Sequence, residues 1–259
     1  MNGLFLVFTI LTVTVTTITA TPAPAKAESA WQTNQVKKEM NAPPFLIFLN
    51  LEYEPCLGTL IHKQWILTAA RCFLPLLHLK IAASEEKHFQ DKIGKLEPML
   101  TFQHPNFTPS FPEHDLMLIK LKKPINLNDE VKLAALPTST DDRIGDMCTV
   151  SGWRWTWMNS IIVHDIQKNQ NVVWFSDDDC QVFLGRQVYA KIPENMFCAG
   201  SSLESALVCQ EITAAPILCQ NQLLGILSWS DGCVLSGNMG YYTKVSRYID
   251  WILQVIHTK

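Results

Sequence analysis

Attack on a peptide or ester carbonyl takes a hydroxyl or thiol and a neighbour that can accept its proton. Thr213, in the run Cys209-Gln210-Glu211-Ile212-Thr213-Ala214-Ala215-Pro216-Ile217-Leu218-Cys219, carries a hydroxyl. A threonine is a nucleophile only beside a base, and its extra methyl restricts χ1. Asp115 offers a carboxylate of the kind that orients a base. Arg71, in Thr68-Ala69-Ala70-Arg71-Cys72, cannot be that base. A guanidinium stays protonated up to a pKa of about 12 and has no lone pair, whereas a histidine exchanges its proton at a pKa of about 6.5. Among the histidines, His114 adjoins Asp115, but neighbours on a strand face opposite ways. His62, His78, His88, His104 and His164 fall in turns or loops, and all of these histidines read as solvated surface residues rather than bases.

Short apolar runs must hold these residues in place. Phe45 to Leu49 reads as a buried strand. Gly58 to Ile61 and Trp65 to Thr68 read as two more, joined by a polar His62-Lys63-Gln64 turn. Leu116 to Leu121, Cys148 to Trp153, Ile217 to Cys219, Leu223 to Trp229 and Tyr241 to Val245 continue the series. Ile249, Ile252, Val255 and Ile256 recur at helical spacing, with Ser246 placed to cap a terminal amphipathic helix. Many short strands separated by turns predict a barrel or a sandwich, and periodicity goes no further than that.

The chain has 259 residues, 47% of them hydrophobic and 17% charged, which favours a sizeable folded core over disorder. Its net charge of −3 comes without a basic stripe, which argues against nucleic acid as a partner. Leu4 to Ile18 is apolar and threonine-rich, and Ala20 closes an Ile18-Thr19-Ala20 cleavage site. Residues 1–20 therefore read as a secretory signal peptide, although the charged n-region is missing. An uncleaved anchor is the competing reading; the recurrent threonines, Pro22 and Pro24 favour cleavage. No later segment is long and apolar enough to span a bilayer. Residues 21–42 read as a flexible leader. Eight cysteines and the Asn106-Phe107-Thr108 glycosylation acceptor fit an oxidising, extracellular setting.

From Pro44 to Ile256 the chain resembles the trypsin/chymotrypsin-like serine protease family, and within it the inactive branch of trypsin-X3 type. The resemblance rests on segments in family order: Pro43 to Leu49, Cys56 to Ile61, Trp65 to Cys72, Asp115 to Leu121, Ser151-Gly152-Trp153, Phe197-Cys198-Ala199-Gly200, Ser228-Trp229 and Gly240 to Val245. It implies an all-β fold of two six-stranded antiparallel barrels and a C-terminal α-helix. The expected domain is 43–259, with the first barrel at about 43–126, the second at about 143–245 and the helix at about 246–257. It also implies the pairs Cys56–Cys72, Cys148–Cys219, Cys180–Cys198 and Cys209–Cys233.

Carried over position by position, the resemblance implies a degenerate triad. Arg71 stands where the family has its histidine, Asp115 matches the aspartate, and Thr213 stands where the family has its serine. Arg71 and Asp115 are expected to form a charge-assisted ion pair with no catalytic role. Glu211 replaces a glycine of the oxyanion hole, and Ala214 and Ala215 replace two more glycines. Ile212 replaces the aspartate that receives the new N-terminus after zymogen cleavage, and Gln35 to Ala42 holds no matching activation sequence. Lys37-Lys38 could still be nicked, with no carboxylate waiting for the new terminus.

Leu207 stands at the specificity-pocket position that is aspartate in trypsin-like members, which does not support a preference for Arg or Lys. Ser230 replaces a glycine of the pocket wall, and Gly240 keeps another. Ser228-Trp229-Ser230 resembles the strand that pairs with substrate backbone, so a peptide could add there; equally, Trp229 could simply close the cleft. Trp153, Trp155 and Trp157 would share one side of a strand; Trp153 matches a core position, Trp157 reads as loop cover, and Trp155 stays open between interface and cover. Ser84-Glu85-Glu86-Lys87 lies near the family's calcium loop with the wrong acidic spacing, so no metal or cofactor is expected.

The resulting expectation is a secreted, monomeric, catalytically inactive protease homologue that binds an unknown protein or peptide partner as regulator or decoy. The alternative is weak or atypical endopeptidase activity through Thr213.

Overall fold

The apolar run after Pro44 forms a strand buried on both faces. β1 (Leu46–Asn50) sends Ile47 and Leu49 into one hydrophobic core and Leu46 and Phe48 into another. This is why its sequence is continuously apolar rather than alternating. The computed structural model describes residues 43–50, 56–72, 80–82, 96–129, 131–139, 142–152, 154–158, 161–164, 168–184, 191–201, 210–211, 213–230 and 232–259. At 50, 80–82, 154–158, 161–164, 168, 181–184 and 210–211 only the backbone is described. The expected signal peptide and leader lie outside these residues.

After β1 come β2 (Cys56–His62), β3 (Trp65–Thr68), β4 (Lys80–Ala82), β5 (Pro98–Gln103) and β6 (Met117–Leu121). Together they make an antiparallel sheet in the order β4-β1-β2-β3-β6-β5. The second half of the chain supplies β7 (Met147–Gly152), β8 (Arg154–Met158), β9 (Ile161–His164), β10 (Lys168–Trp174), β11 (Met196–Gly200), β12 (Gln210–Glu211), β13 (Pro216–Cys219), β14 (Gln222–Ser230) and β15 (Gly240–Lys244). Six of these close into a barrel, β10-β11-β15-β14-β13-β7. The remaining three form a small sheet, β12-β8-β9. The fold is the mostly β, trypsin-like one the resemblance implies, with one six-stranded sheet, one closed six-stranded barrel and a terminal helix.

Two α-helices among the described residues complete it. α1 (Asp177–Leu184) has no counterpart in the sequence reading. Ser176 starts it: its hydroxyl accepts the Asp179 N–H at 3.2 Å and donates to Asp179 Oδ2 at 2.6 Å. Three aspartates in the first turn suit the positive end of the helix dipole. α2 (Ile249–Thr258) begins later than its sequence suggests. Ser246, expected as the cap, lies inside a 3₁₀ turn (Val245–Tyr248), and α2 has no side-chain cap. It is held instead by tertiary packing. Ile252 is fully buried, and Ile249, Trp251, Val255 and Ile256 lean on the core formed mainly by the first sheet.

Disulfides join Cys56 to Cys72, Cys148 to Cys219 and Cys180 to Cys198. Cys233 is also disulfide-bonded; Cys209, its expected partner, lies outside the described residues.

Candidate functional site

The end of β3 turns sharply through a 3₁₀ turn (Ala70–Cys72), and this turn carries Arg71. The turn is pinned on both sides. Cys72 is bonded to Cys56 at the start of β2, and Gln103 Nε2 donates to the Ala70 carbonyl at 2.8 Å. Asp115 sits just before β6, fully buried. The pairing of β3 with β6, in which Thr68 faces Met117, brings the two residues together.

Asp115 is satisfied by three donors. The Arg71 backbone N–H donates to Oδ1 at 2.9 Å, Arg71 Nε–H donates to Oδ2, and the Ser228 hydroxyl donates to Oδ2 at 2.6 Å. Arg71 Nη2–H in turn donates to Ser228 Oγ at 2.9 Å, which closes a ring of three side chains. Ser228 enters from β14, so the ring ties the first sheet to the closed barrel. An unpaired carboxylate at this depth would be very costly; the guanidinium and hydroxyl remove that cost. The guanidinium offers donors only.

Thr213 is held by its backbone. Its carbonyl accepts the Leu57 N–H at 2.8 Å, and it forms an isolated parallel bridge with Cys56. Among the described residues no hydrogen bond joins its hydroxyl to Arg71 or Asp115. Ala214 follows at φ 69°, a left-handed conformation that strains any residue with a Cβ. Upstream, β12 is paired with β8, with Gln210 opposite Trp155 and Glu211 opposite Arg154. The backbone of the segment that the resemblance assigns to an oxyanion hole is therefore drawn into a sheet. Ile212, Leu207 and Trp153 lie outside the described residues, as do the side chains of Glu211, Trp155 and Trp157.

Trp229 lies flat on Tyr241, with ring centroids 3.8 Å apart and planes 10° apart, against a cluster of Cys180, Ile192, Met196, Cys198 and Met239. Ser230 donates to the Gly232 carbonyl at 2.8 Å. Gly240 is required by packing, since a Cβ there would meet Tyr242 Oη at 2.7 Å and Val234 Cγ2 at 2.8 Å. Asn106 is exposed in the turn after His104.

Two histidines read as solvated from sequence are not. His104 and His114 are half-buried and stack on one another, centroids 4.9 Å apart and planes 9° apart. Tyr248 and Trp251 meet His104 edge-on at 5.1 and 5.0 Å. Asn195 Nδ2 donates to Tyr248 Oη at 2.6 Å, and that hydroxyl lies 3.0 Å from His114 Nδ1. Burial, and then the neighbouring His114, push the His104 pKa down to about 4. Burial raises that of Tyr248 to about 12. Sequence could not show the cluster, because α2 and the stretch before β11 arrive from far along the chain. It does not supply a base for Thr213: among the described residues no hydrogen bond or ring contact joins either histidine to that residue.

A six-stranded sheet and a closed six-stranded barrel, tied together by Arg71, Asp115 and Ser228, define a trypsin-like protease fold. Comparison with known proteins agrees. Residues 32–252 match the family described as Trypsin, and the chain belongs to that family. It is 41% identical to "Serine protease 58" of Homo sapiens over 83% of this chain and 88% of that protein. It is 38% identical to "Probable inactive serine protease 58" of Bos taurus over 85% and 90%. Among solved structures it is similar to "Neuropsin, a serine protease expressed in the limbic system of mouse brain", with a TM-score of 0.67, 28% identity, and coverage of 82% of this chain and 94% of that one.

Proposed function

We propose that this chain is a secreted, catalytically inactive member of the trypsin family that works by holding a peptide segment of another protein. One observation carries the reading: Arg71, at the position the resemblance assigns to the base, is locked to Asp115 and Ser228. The engagement of β12 by β8 and the strained Ala214 beside Thr213 support it further. Removing one oxyanion-hole donor alone costs on the order of 3 kcal/mol of transition-state stabilisation.

Binding is supported by the backbone of β14. Trp229 and Ser230 pair with Tyr241 and Gly240 on one side, while the ladder to β13 ends at Ile226. Beyond the Leu227 N–H, which goes to the Ala215 carbonyl, that second edge has no strand partner among the described residues. An extended peptide can add to such an edge. Secretion is supported by the apolar stretch at residues 4–18 and by cysteines that pair, and the exposed Asn106 would then carry a glycan. No helix among the described residues is long and apolar enough to cross a membrane.

The test is hydrolysis of activated ester and peptide substrates by the purified mature chain. The reading expects rates indistinguishable from buffer. Turnover that vanishes in Thr213→Ala would establish the rival, a weak threonine-dependent endopeptidase.

A further inference from the structure

Arg71 uses only one side of its guanidinium. Nε–H and the parallel Nη2–H go to Asp115 and Ser228. The opposite fork, one N–H from each terminal nitrogen, is left over, and Nη1 has no hydrogen-bond partner among the described residues. A carboxylate fits such a fork with two parallel hydrogen bonds.

The group is also held ready. Its side chain is 35% exposed while that of Asp115 is 0% exposed, so the ion pair turns its positive end outward. The disulfide at Cys72, the Gln103 contact to Ala70 and the Arg71 backbone N–H to Asp115 all restrain its base. Little conformational entropy remains to be lost when a ligand binds, which favours affinity. Ser228, the residue that steadies Nη2, lies at the bulge immediately before the one-sided stretch Trp229–Ser230 of β14. Nη2, one of the fork's two nitrogens, lies 2.9 Å from Ser228 Oγ, which puts the fork at the start of that stretch.

We propose that the free fork of Arg71 receives a carboxylate of the bound peptide, either an Asp or Glu side chain or the chain's own C-terminus. Replacing the family's histidine thus exchanges a proton acceptor for an anion anchor. This inference rests on the peptide-binding reading above and sets the class of peptide.

The test measures binding of three fluorescent random-hexapeptide pools to the mature chain: amidated without Asp or Glu, amidated with Asp or Glu, and without Asp or Glu but with a free C-terminus. At least one carboxylate-bearing pool should bind about tenfold or more tightly than the neutral pool, as a charge-assisted pair implies. Which pool does so tells a side chain from a terminus. The advantage should disappear in Arg71→His, which still pairs with Asp115 but has no fork. If that variant does not fold, Arg71→Lys keeps the charge without the fork and should lose most of the advantage. Equal binding of all three pools, or an advantage that survives both substitutions, overturns the anchor and leaves peptide binding standing. No binding by any pool overturns both.

Discussion

At the scale of single residues, Arg71 and Asp115 show how a guanidinium can settle a buried carboxylate. A buried carboxylate needs donors, and Arg71 supplies two while Ser228 supplies one. Arg71→Met removes the side-chain donor and leaves the charge buried. We expect a loss of about 2–3 kcal/mol in urea unfolding, below the figure for a fully buried pair because Arg71 is partly solvated. Adding Asp115→Asn should recover a good part of that loss by removing the charge. If Arg71→Met unfolds at the wild-type midpoint, the ion pair has no structural weight. The chemistry of Arg71 was legible in the sequence, because a guanidinium cannot act as a base in any setting. The part played by Ser228 was not: it lies 157 residues away from Arg71, and only the meeting of β14 with the Arg71 turn brings its hydroxyl into the ring.

At the scale of elements, sequence and structure agree where burial dictates both. The run Leu46–Leu49 is apolar throughout because β1 lies between two cores. β3, buried at every position, reads the same way. They part where long-range pairing decides. β12 is two residues long, and nothing in Gln210-Glu211 announces that β8 will pair with it. The start of α1 did carry a local signal, Ser176 followed by three aspartates. Packing between strands makes one prediction sharp. A Cβ on Gly225 would lie 2.7 Å from Phe197 Cε1 and 2.8 Å from Tyr242 Cβ. Both neighbours are fully buried, and Phe197 is stacked on Trp174 at 3.7 Å. Gly225→Ala should therefore cost about 1–3 kcal/mol, as overpacking of a close-packed core does. An unchanged melting temperature would show that this part of the barrel is looser than its contacts imply.

At the scale of the whole molecule, the cluster of His104, His114, Tyr248, Trp251 and Asn195 joins the loop before Asp115 to α2 and to the approach to β11. Its histidines were misread as solvated because a sequence shows neighbours along the chain and not across it. The cluster makes stability depend on pH. The folded pKa of His104, about 4, lies below the ordinary 6.5, so folding favours the neutral ring. Its contribution is complete above about pH 6.5 and is lost as pH falls towards 4, with a limiting slope of about 1.4 kcal/mol per pH unit for one proton. The groups around this cluster that can charge are His114, Tyr248, Glu113 and Asp115. His104→Phe should keep the stacking and flatten the urea midpoint between pH 6.5 and 5 relative to wild type. Identical pH profiles would remove His104 from this role.

The claim on which the account turns is that no hydroxyl beside this guanidinium can be made nucleophilic. The most direct measurement is exposure of the purified mature chain to a fluorophosphonate probe, with intact-mass and peptide-mass readout. We predict no covalent adduct at Thr213 under conditions that fully label an active trypsin. A stoichiometric adduct on Thr213, absent from Thr213→Ala, would contradict the account.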